Sequence, residues 1–176
     1  MIKKILVLLF AISCNAFAQK GWFQQTSGTS NDLNCVQFLN TTTGFACGSG
    51  GVVLKTINGG VNWSLTTSTL GTFHEVQFLD VNTGFTYGDS GIAKTTNGGV
   101  NWSRISTATG GGYFHFVDIN TGFCITSFNA FCEKTTNSGL NWQQLGYSAA
   151  NIGGTKDFIY VNSNNMYATA MIGPCQ

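Results

Sequence analysis

The chain is 176 residues long, 43% hydrophobic and 13% aromatic, with 23 glycines, one proline and only 9% charged residues. So much apolar and aromatic material with so little charge excludes disorder and suffices for a real core. Eight Lys and Arg against seven Asp and Glu give a net charge of +1, so no field exists to recruit nucleic acid or anionic lipid.

The first predicted element is a secretory signal peptide over residues 1–18. Lys3 and Lys4 form a positive n-region and Ile5 to Ile12 an apolar run. Ala16-Phe17-Ala18 then supplies the small residues that signal peptidase needs. The apolar run is far shorter than the ~20 residues of a spanning helix, and no other stretch approaches that length. Cleavage after Ala18 sends the chain to the periplasm, the cell surface or the medium. A lipoprotein anchored at Cys14 ranks second, because Ala11-Ile12-Ser13 before it lacks the usual Leu. Without the leader the chain keeps Cys35, Cys47, Cys124, Cys132 and Cys175, an odd set that permits two bridges and a leftover thiol under oxidising conditions.

Residues 19–176 form a repeat domain. Lys55-Thr56-Ile57-Asn58-Gly59-Gly60-Val61-Asn62-Trp63 recurs from Lys94 to Trp102 and again from Lys134 to Trp142. The recurring turn residues are Asn58, Gly59 and Gly60, then Asn97, Gly98 and Gly99, then Asn137 and Gly139. Upstream of each lies a second signature, Asn40 to Phe45, Asp80 to Phe85 and Asp118 to Phe123, each ending Thr-Gly-Phe. Trp22, Trp63, Trp102 and Trp142 are 41, 39 and 40 residues apart. Two motifs repeated in fixed order mark a repeat architecture.

In the first unit the β-like runs are Cys35–Leu39, Gly44–Gly48, Gly51–Thr56 and Asn62–Thr66, separated by Gly- and Asn-rich turns. Val36/Phe38, Val76/Phe78 and Phe114/Phe116 alternate with Gln37, Gln77 and His115, the period of a half-buried strand. Four short strands per ~40 residues make the blade of a β-propeller, so the fold class is all-β. A fourth unit is partial: Phe158 to Asn162 matches Val36 to Asn40, and Met166-Tyr167-Ala168 matches Gly44-Phe45-Ala46. Trp22 is placed to supply that blade's outer strand. Three readings follow: a minimal four-bladed ring with a defective last blade, a piece of a larger propeller, or a unit completed by self-association through open blade edges. The piece of a larger propeller is favoured.

The Asn-Gly-Gly turns resemble the sialidase-type Asp-box, with Asn58, Asn97 and Asn137 in place of the Asp. The longer pattern, from V-x-F through Thr-Gly-Phe to Lys-Thr-x-Asn-Gly-Gly-x-x-Trp, resembles the photosystem II stability/assembly factor propellers over roughly residues 22–170. The resemblance implies the propeller fold. The family's name implies a role in assembling photosystem II, but nothing in this chain marks a phototroph and that role is not carried over.

The residues that chemistry would need are sparse. Sialidase-type catalysis uses three arginines on the substrate carboxylate, and Arg104 is the only arginine. A hydrolytic glycosidase needs two carboxylates across a cavity. Asp80 and Asp118 share the repeat position of Asn40 and read as turn residues; Glu75 beside His74 is the one weighed acid/base pair. His74 and His115 fall at different repeat positions and are poor zinc ligands. Asn62-Trp63-Ser64 and Asn101-Trp102-Ser103 match a glycosylation pattern but belong to the repeat turn, and Gly110-Gly111-Gly112 lacks a P-loop lysine. No catalytic, cofactor-binding or metal residue is assigned, and no cofactor is expected. Cys35 and Cys47 are equidistant from the turn near Thr41, and Cys124 and Cys132 flank Ser127–Asn129, so these pairs are the expected disulfides.

The sequence therefore reads as an exported, non-catalytic propeller module, binding an unknown protein or glycan or serving as a scaffold. Its variable loops Thr67–Phe73, Thr107–Tyr113 and Gly146–Lys156 sit on a constant frame, which is where binding usually resides. The alternative is a fragment of a carbohydrate-active enzyme whose catalytic residues lie on further blades.

Overall fold

The computed structural model describes residues 25–106, 114–125, 131–148, 155–162 and 165–170. The expected signal peptide, Cys14, Trp22, Cys175, the Gly110–Gly112 loop and the Ser127–Asn129 turn lie outside them. Three four-stranded antiparallel sheets follow one another along the chain. The first holds β1 (Leu33–Phe38), β2 (Gly44–Gly48), β3 (Val52–Thr56) and β4 (Ser64–Thr67). The second holds β5 (Phe73–Phe78), β6 (Gly84–Gly88), β7 (Gly91–Thr95) and β8 (Ser103–Ser106). The third holds β9 (Phe114–Phe116), β10 (Gly122–Ile125), β11 (Phe131–Thr135) and β12 (Gln143–Ser148). In all three the strands lie side by side in chain order, the meander of a propeller blade.

A two-stranded fourth sheet pairs β13 (Thr155–Asn162) with β14 (Asn165–Ala170). Its register sets Phe158 against Ala168 and Ile159 against Tyr167. This repeats the pairing of Val36 with Ala46 and Gln37 with Phe45, so the partial fourth unit begins as a blade does.

The strands stack because alternate residues of each sheet are apolar on both faces. Each blade has a leading face, toward the next blade, and a trailing face, toward the one before. Blade 1 leads with Phe45, Cys47 and Val53, which join Phe73, Val76 and Phe78 on the trailing face of blade 2. Blade 2 leads with Phe85, Tyr87 and Ile92 against Phe114 and Phe116 of blade 3. At the centre of each contact two rings lie flat on one another, Phe45 on Phe78 at 3.4 Å and Phe85 on Phe116 at 3.5 Å between centroids. Trp102 meets Phe78 edge-on at 5.9 Å and Trp142 meets Phe116 at 6.0 Å, filling the same seams.

The glycine of each Thr-Gly-Phe has a steric cause. A Cβ on Gly44, Gly84 or Gly122 would sit 2.7 Å from the ring of Phe38, Phe78 or Phe116 on the neighbouring strand. That ring lies across the glycine and is thereby turned toward the preceding blade.

A polar clamp runs through each seam. Gln37 donates from Nε2 to the carbonyl of Phe78 at 3.1 Å and accepts that residue's N–H at Oε1 at 2.6 Å. Gln77 does the same to Phe116, at 2.8 and 2.7 Å. One side-chain amide thus satisfies both backbone groups that the next blade's first strand leaves open on that side. Asn34 donates to the carbonyl of Phe73 at 2.8 Å, adding a third inter-blade contact to the first seam.

Two substitutions separate the contributions. Phe85→Ala removes a buried ring from the second seam and should cost about 3–5 kcal/mol. Gln77→Ala strands the N–H and C=O of Phe116 and should cost about 1–3 kcal/mol. Urea unfolding midpoints at unchanged slope are the measurement; a Gln77→Ala protein as stable as the parent would mean the clamp is ornamental.

Candidate functional site

The repeat turns are built identically in all three blades, around a threonine. Thr56, Thr95 and Thr135 are buried, and each hydroxyl donates to the side-chain oxygen of Asn58, Asn97 or Asn137 at 3.0 Å. The same hydroxyls accept the N–H of Gly60, Gly99 and Gly139 at 2.9, 3.1 and 2.9 Å. Each asparagine oxygen then accepts the N–H of Asn62, Asn101 or Asn141 at 2.9 Å. Gly59 and Gly60 have φ of 71° and 89°, which requires residues tolerant of the left-handed region. Ser138 holds that conformation at φ 60° in the third turn, its hydroxyl donating to the carbonyl of Ile119. The indoles of Trp102 and Trp142 donate to the carbonyls of Gly99 and Gly139. The motif is a structural hub, and the side-chain oxygens of its asparagines are each engaged twice within it.

The carboxylates follow the same logic. Asp80 Oδ1 accepts the N–H groups of Asn82 and Thr83 at 2.7 and 2.8 Å, and Asp118 those of Asn120 and Thr121, both at 2.7 Å. These hydrogen bonds hold both carboxyls below their ordinary range. Asn40 makes the same turn without a charge. His74 pairs with Asp89, Nε2 to Oδ1 at 3.0 Å. Asp89 also accepts the Thr72 N–H, chiefly for which its pKa lies low. His115 takes the clamp position of Gln37 and Gln77 on blade 3, and burial pulls its pKa below the usual value. Among the described residues no three His, Cys, Asp or Glu side chains gather as a metal site would require.

What the structure leaves open is the β1 edge of the trailing face of blade 1. Val76 and Phe78 are 3% and 2% exposed, and Phe114 and Phe116 are 3% and 1% exposed, each pair covered by the blade before. Val36 and Phe38 hold the equivalent positions and are 60% and 46% exposed. Behind them Ala46, Val52 and Leu54 form an apolar floor against Trp63. The arm around Gln25 lies over one end, where Gln25 Oε1 accepts the Trp63 indole N–H at 3.4 Å. Between arm and sheet runs a groove of about 310 Å³ lined by Gln25, Leu33, Val36, Ala46, Leu54 and Trp63. Its chemistry is an apolar floor with amide edges, suited to apolar side chains on an extended segment or sheet. Sequence alternation marked Val36 and Phe38 as positions of a half-buried strand; only the blade order reveals that no described blade covers these two.

On the leading face, Cys35 and Cys47 are directly opposed in register and their thiols are in hydrogen-bond contact. The Cys47 thiol donates to Cys35, which brings the Cys35 pKa down to about 6, while that bond and burial push Cys47 up. The second expected pair fails on register. Cys124 stands opposite Glu133, and Cys132 stands opposite Ile125, one step out of phase across the strands. Opposed residues share a face and adjacent residues alternate, so this pairing does not set up the Cys124–Cys132 bridge. Of the loops named as variable, Thr67–Phe73 is tied down by the Ser68 N–H to the Gly51 carbonyl and the Thr72 N–H to Asp89. Residues 107–113 and 149–154 lie outside the described residues.

Residues 14–170 match the family described as photosynthesis system II assembly factor YCF48, and the chain belongs to that family. No curated protein sequence matches. A structure of YCF48 bound to D1 peptide is 26% identical, with a TM-score of 0.57 over 66% of this chain and 40% of that one. YCF48 from Cyanidioschyzon merolae is 27% identical, with a TM-score of 0.60 over 70% of this chain and 40% of that one. The match thus spans about 40% of the length of either relative. The Niastella koreensis GH74 enzyme, 17% identical with a TM-score of 0.57, covers 81% of this chain by 27% of its own and shares the fold.

Two measurements test the site's electrostatics and turns. Asp80 and Asp118 titrate below 3.8 when folded, so their stabilisation is complete above that value and lost as pH falls through it. Asp80→Asn with Asp118→Asn should flatten the melting temperature between about pH 5 and 2. His115, depressed below 6.5, favours the fold when neutral, so stability drops as pH falls below that value, and His115→Gln should remove this step. In the turns, Asn97→Asp should change stability by less than about 0.5 kcal/mol, whereas Asn97→Ala should cost about 1 kcal/mol. Equal losses for the two variants would refute the hub geometry.

Proposed function

We propose that this chain is an exported, non-catalytic propeller module that binds a segment of another protein on the open face of its first blade. The carrying observation is the exposure of Val36 and Phe38 at positions that are buried in both other blades. Exposed apolar surface of this kind, rimmed by amides, marks an interaction site. A relative of the same family has been solved with a peptide, which supports a polypeptide partner over a small substrate. Export rests on the leader-like residues 1–18. Absence of catalysis rests on the single arginine and on the turn duties of Asp80 and Asp118. Glycan binding by the same module is the competing class.

A second reading has its own observation. The open face carries the half-interface that blades 2 and 3 bury against a like blade, so a second copy of the chain is chemically matched to it. Self-association would then be part of the function.

The test is binding by the purified chain to a library of displayed peptides and to a glycan array, beside light scattering. Peptides anchored by aromatic or aliphatic residues should bind, and Val36→Asp should weaken them by about tenfold or more, about 1.4 kcal/mol. Binding confined to glycans, or peptide binding indifferent to Val36→Asp, would overturn the reading. A concentration-dependent dimer abolished by Val36→Asp would establish self-association in its place.

A further inference from the structure

We propose that Cys35 and Cys47 are a redox-active pair that closes into a cross-strand disulfide, stapling the first strand of the open blade to its neighbour. The backbone sets the geometry. Cys35 and Cys47 are direct partners across β1 and β2. Opposed antiparallel residues have Cα atoms about 4.5–5.5 Å apart, inside the roughly 4.4–6.8 Å that a disulfide spans, whichever kind of pair they form. The register already places the two residues opposite one another, so closure asks for no shift of either strand.

The reason for a staple at this place lies in the repeat. The first strands of blades 2 and 3 are gripped from behind by Gln37 and Gln77 of the blade before. Among the described residues β1 receives no such clamp, and it is the strand that presents Val36 and Phe38. In blade 2 the same two register positions hold Glu75 and Tyr87, which cannot cross-link. The pair therefore stands on the blade whose first strand, among the described residues, has no covering blade.

The two sulfurs have distinct roles. Cys35 is half-buried and accepts the hydrogen bond of Cys47, which favours its thiolate. Cys47 is fully buried, and the negative charge of Glu75 on the next blade opposes its ionisation. With a small-molecule disulfide as oxidant, the Cys35 thiolate attacks one sulfur and expels one thiolate, leaving a mixed disulfide on Cys35. Cys47 then loses its proton and attacks the Cys35 sulfur, expelling the second thiolate. Two thiol protons leave the protein, and two electrons pass to the oxidant, which ends as two thiols. The inference is independent of what the open face binds.

The experiment treats the purified full chain with oxidised glutathione, blocks remaining thiols with an alkylating agent, and maps the peptides by mass spectrometry. The expected product is a cross-linked Cys35–Cys47 peptide pair about 2 Da lighter than the reduced pair. Its melting temperature should exceed that of the reduced protein by on the order of 5–10 °C. Cys47→Ser should stop at a glutathione adduct on Cys35, whereas Cys35→Ser should leave Cys47 unmodified in the folded protein. Alkylation of both thiols after oxidant treatment of the parent, or a glutathione adduct that persists on its Cys35, overturns the proposal even if neither variant folds.

Discussion

Everything in this molecule depends on one contact: a phenylalanine lying flat on the phenylalanine of the next blade, with a glutamine closing the backbone beside it. A sheet of four short strands that is apolar on both faces has no stable existence alone, because each face needs cover. The Phe45–Phe78 and Phe85–Phe116 stacks supply that cover, and the clamps by Gln37 and Gln77 fix the register between sheets. Lys55, Lys94 and Lys134 sit 5.3, 5.4 and 5.6 Å from the rings of Phe45, Phe85 and Phe123, adding a repeated cation to the same faces. The unit of stability is therefore the seam between blades. This is the energetics of a linear array, in which each repeat depends on its neighbours.

The first described blade of this array differs from the two that follow. The trailing face of blade 1 carries the same apolar pattern as those of blades 2 and 3, but its cover is the short arm around Gln25. Where blade 2 receives Val53 and Thr66 of its neighbour against Gly99, blade 1 receives the amide of Gln25 against Gly60. The substitution is chemical as well as spatial: an amide at one end of the face, and exposed Val36 and Phe38 along its β1 edge. The proposed binding face thus arises from the repeat itself, where no described blade covers Val36 and Phe38.

Much of this was legible in the sequence, and the part that was not has a physical explanation. Strand positions, blade number and the Asn-Gly-Gly turns are local properties, encoded by alternation and by residues that tolerate positive φ. The hairpin start of the fourth unit was readable too, because register follows side-chain alternation. Three things needed coordinates. Gln37 and Gln77 look like solvent-facing residues of an alternating strand, and their only signal was recurrence, in a third copy altered to His115. Thr56, Thr95 and Thr135 were visible within the motif, but their hydroxyls emerged as the hub only when the turn closed around them. The register of Cys124 was the third, because a hairpin centre displaced by half a residue sets it opposite Glu133.

The likeness to a GH74 enzyme sharpens the question of what a propeller of this kind does. At 17% identity it shows that the same scaffold is used elsewhere, and fold alone does not carry function. Function must come from side chains that the scaffold holds free, and in this chain the chemically capable groups are largely engaged. Asp80 and Asp118 close turns, Asp89 ties a loop and pairs with His74, and the three asparagines complete hubs. Among the exposed large apolar side chains, Leu33, Val36 and Phe38 lie together on one sheet face. Apolar side chains gain free energy by leaving water in the company of other apolar groups, whatever reaction is or is not nearby. A surface with that composition selects partners by shape and burial, and its nearest chemical match is another polypeptide.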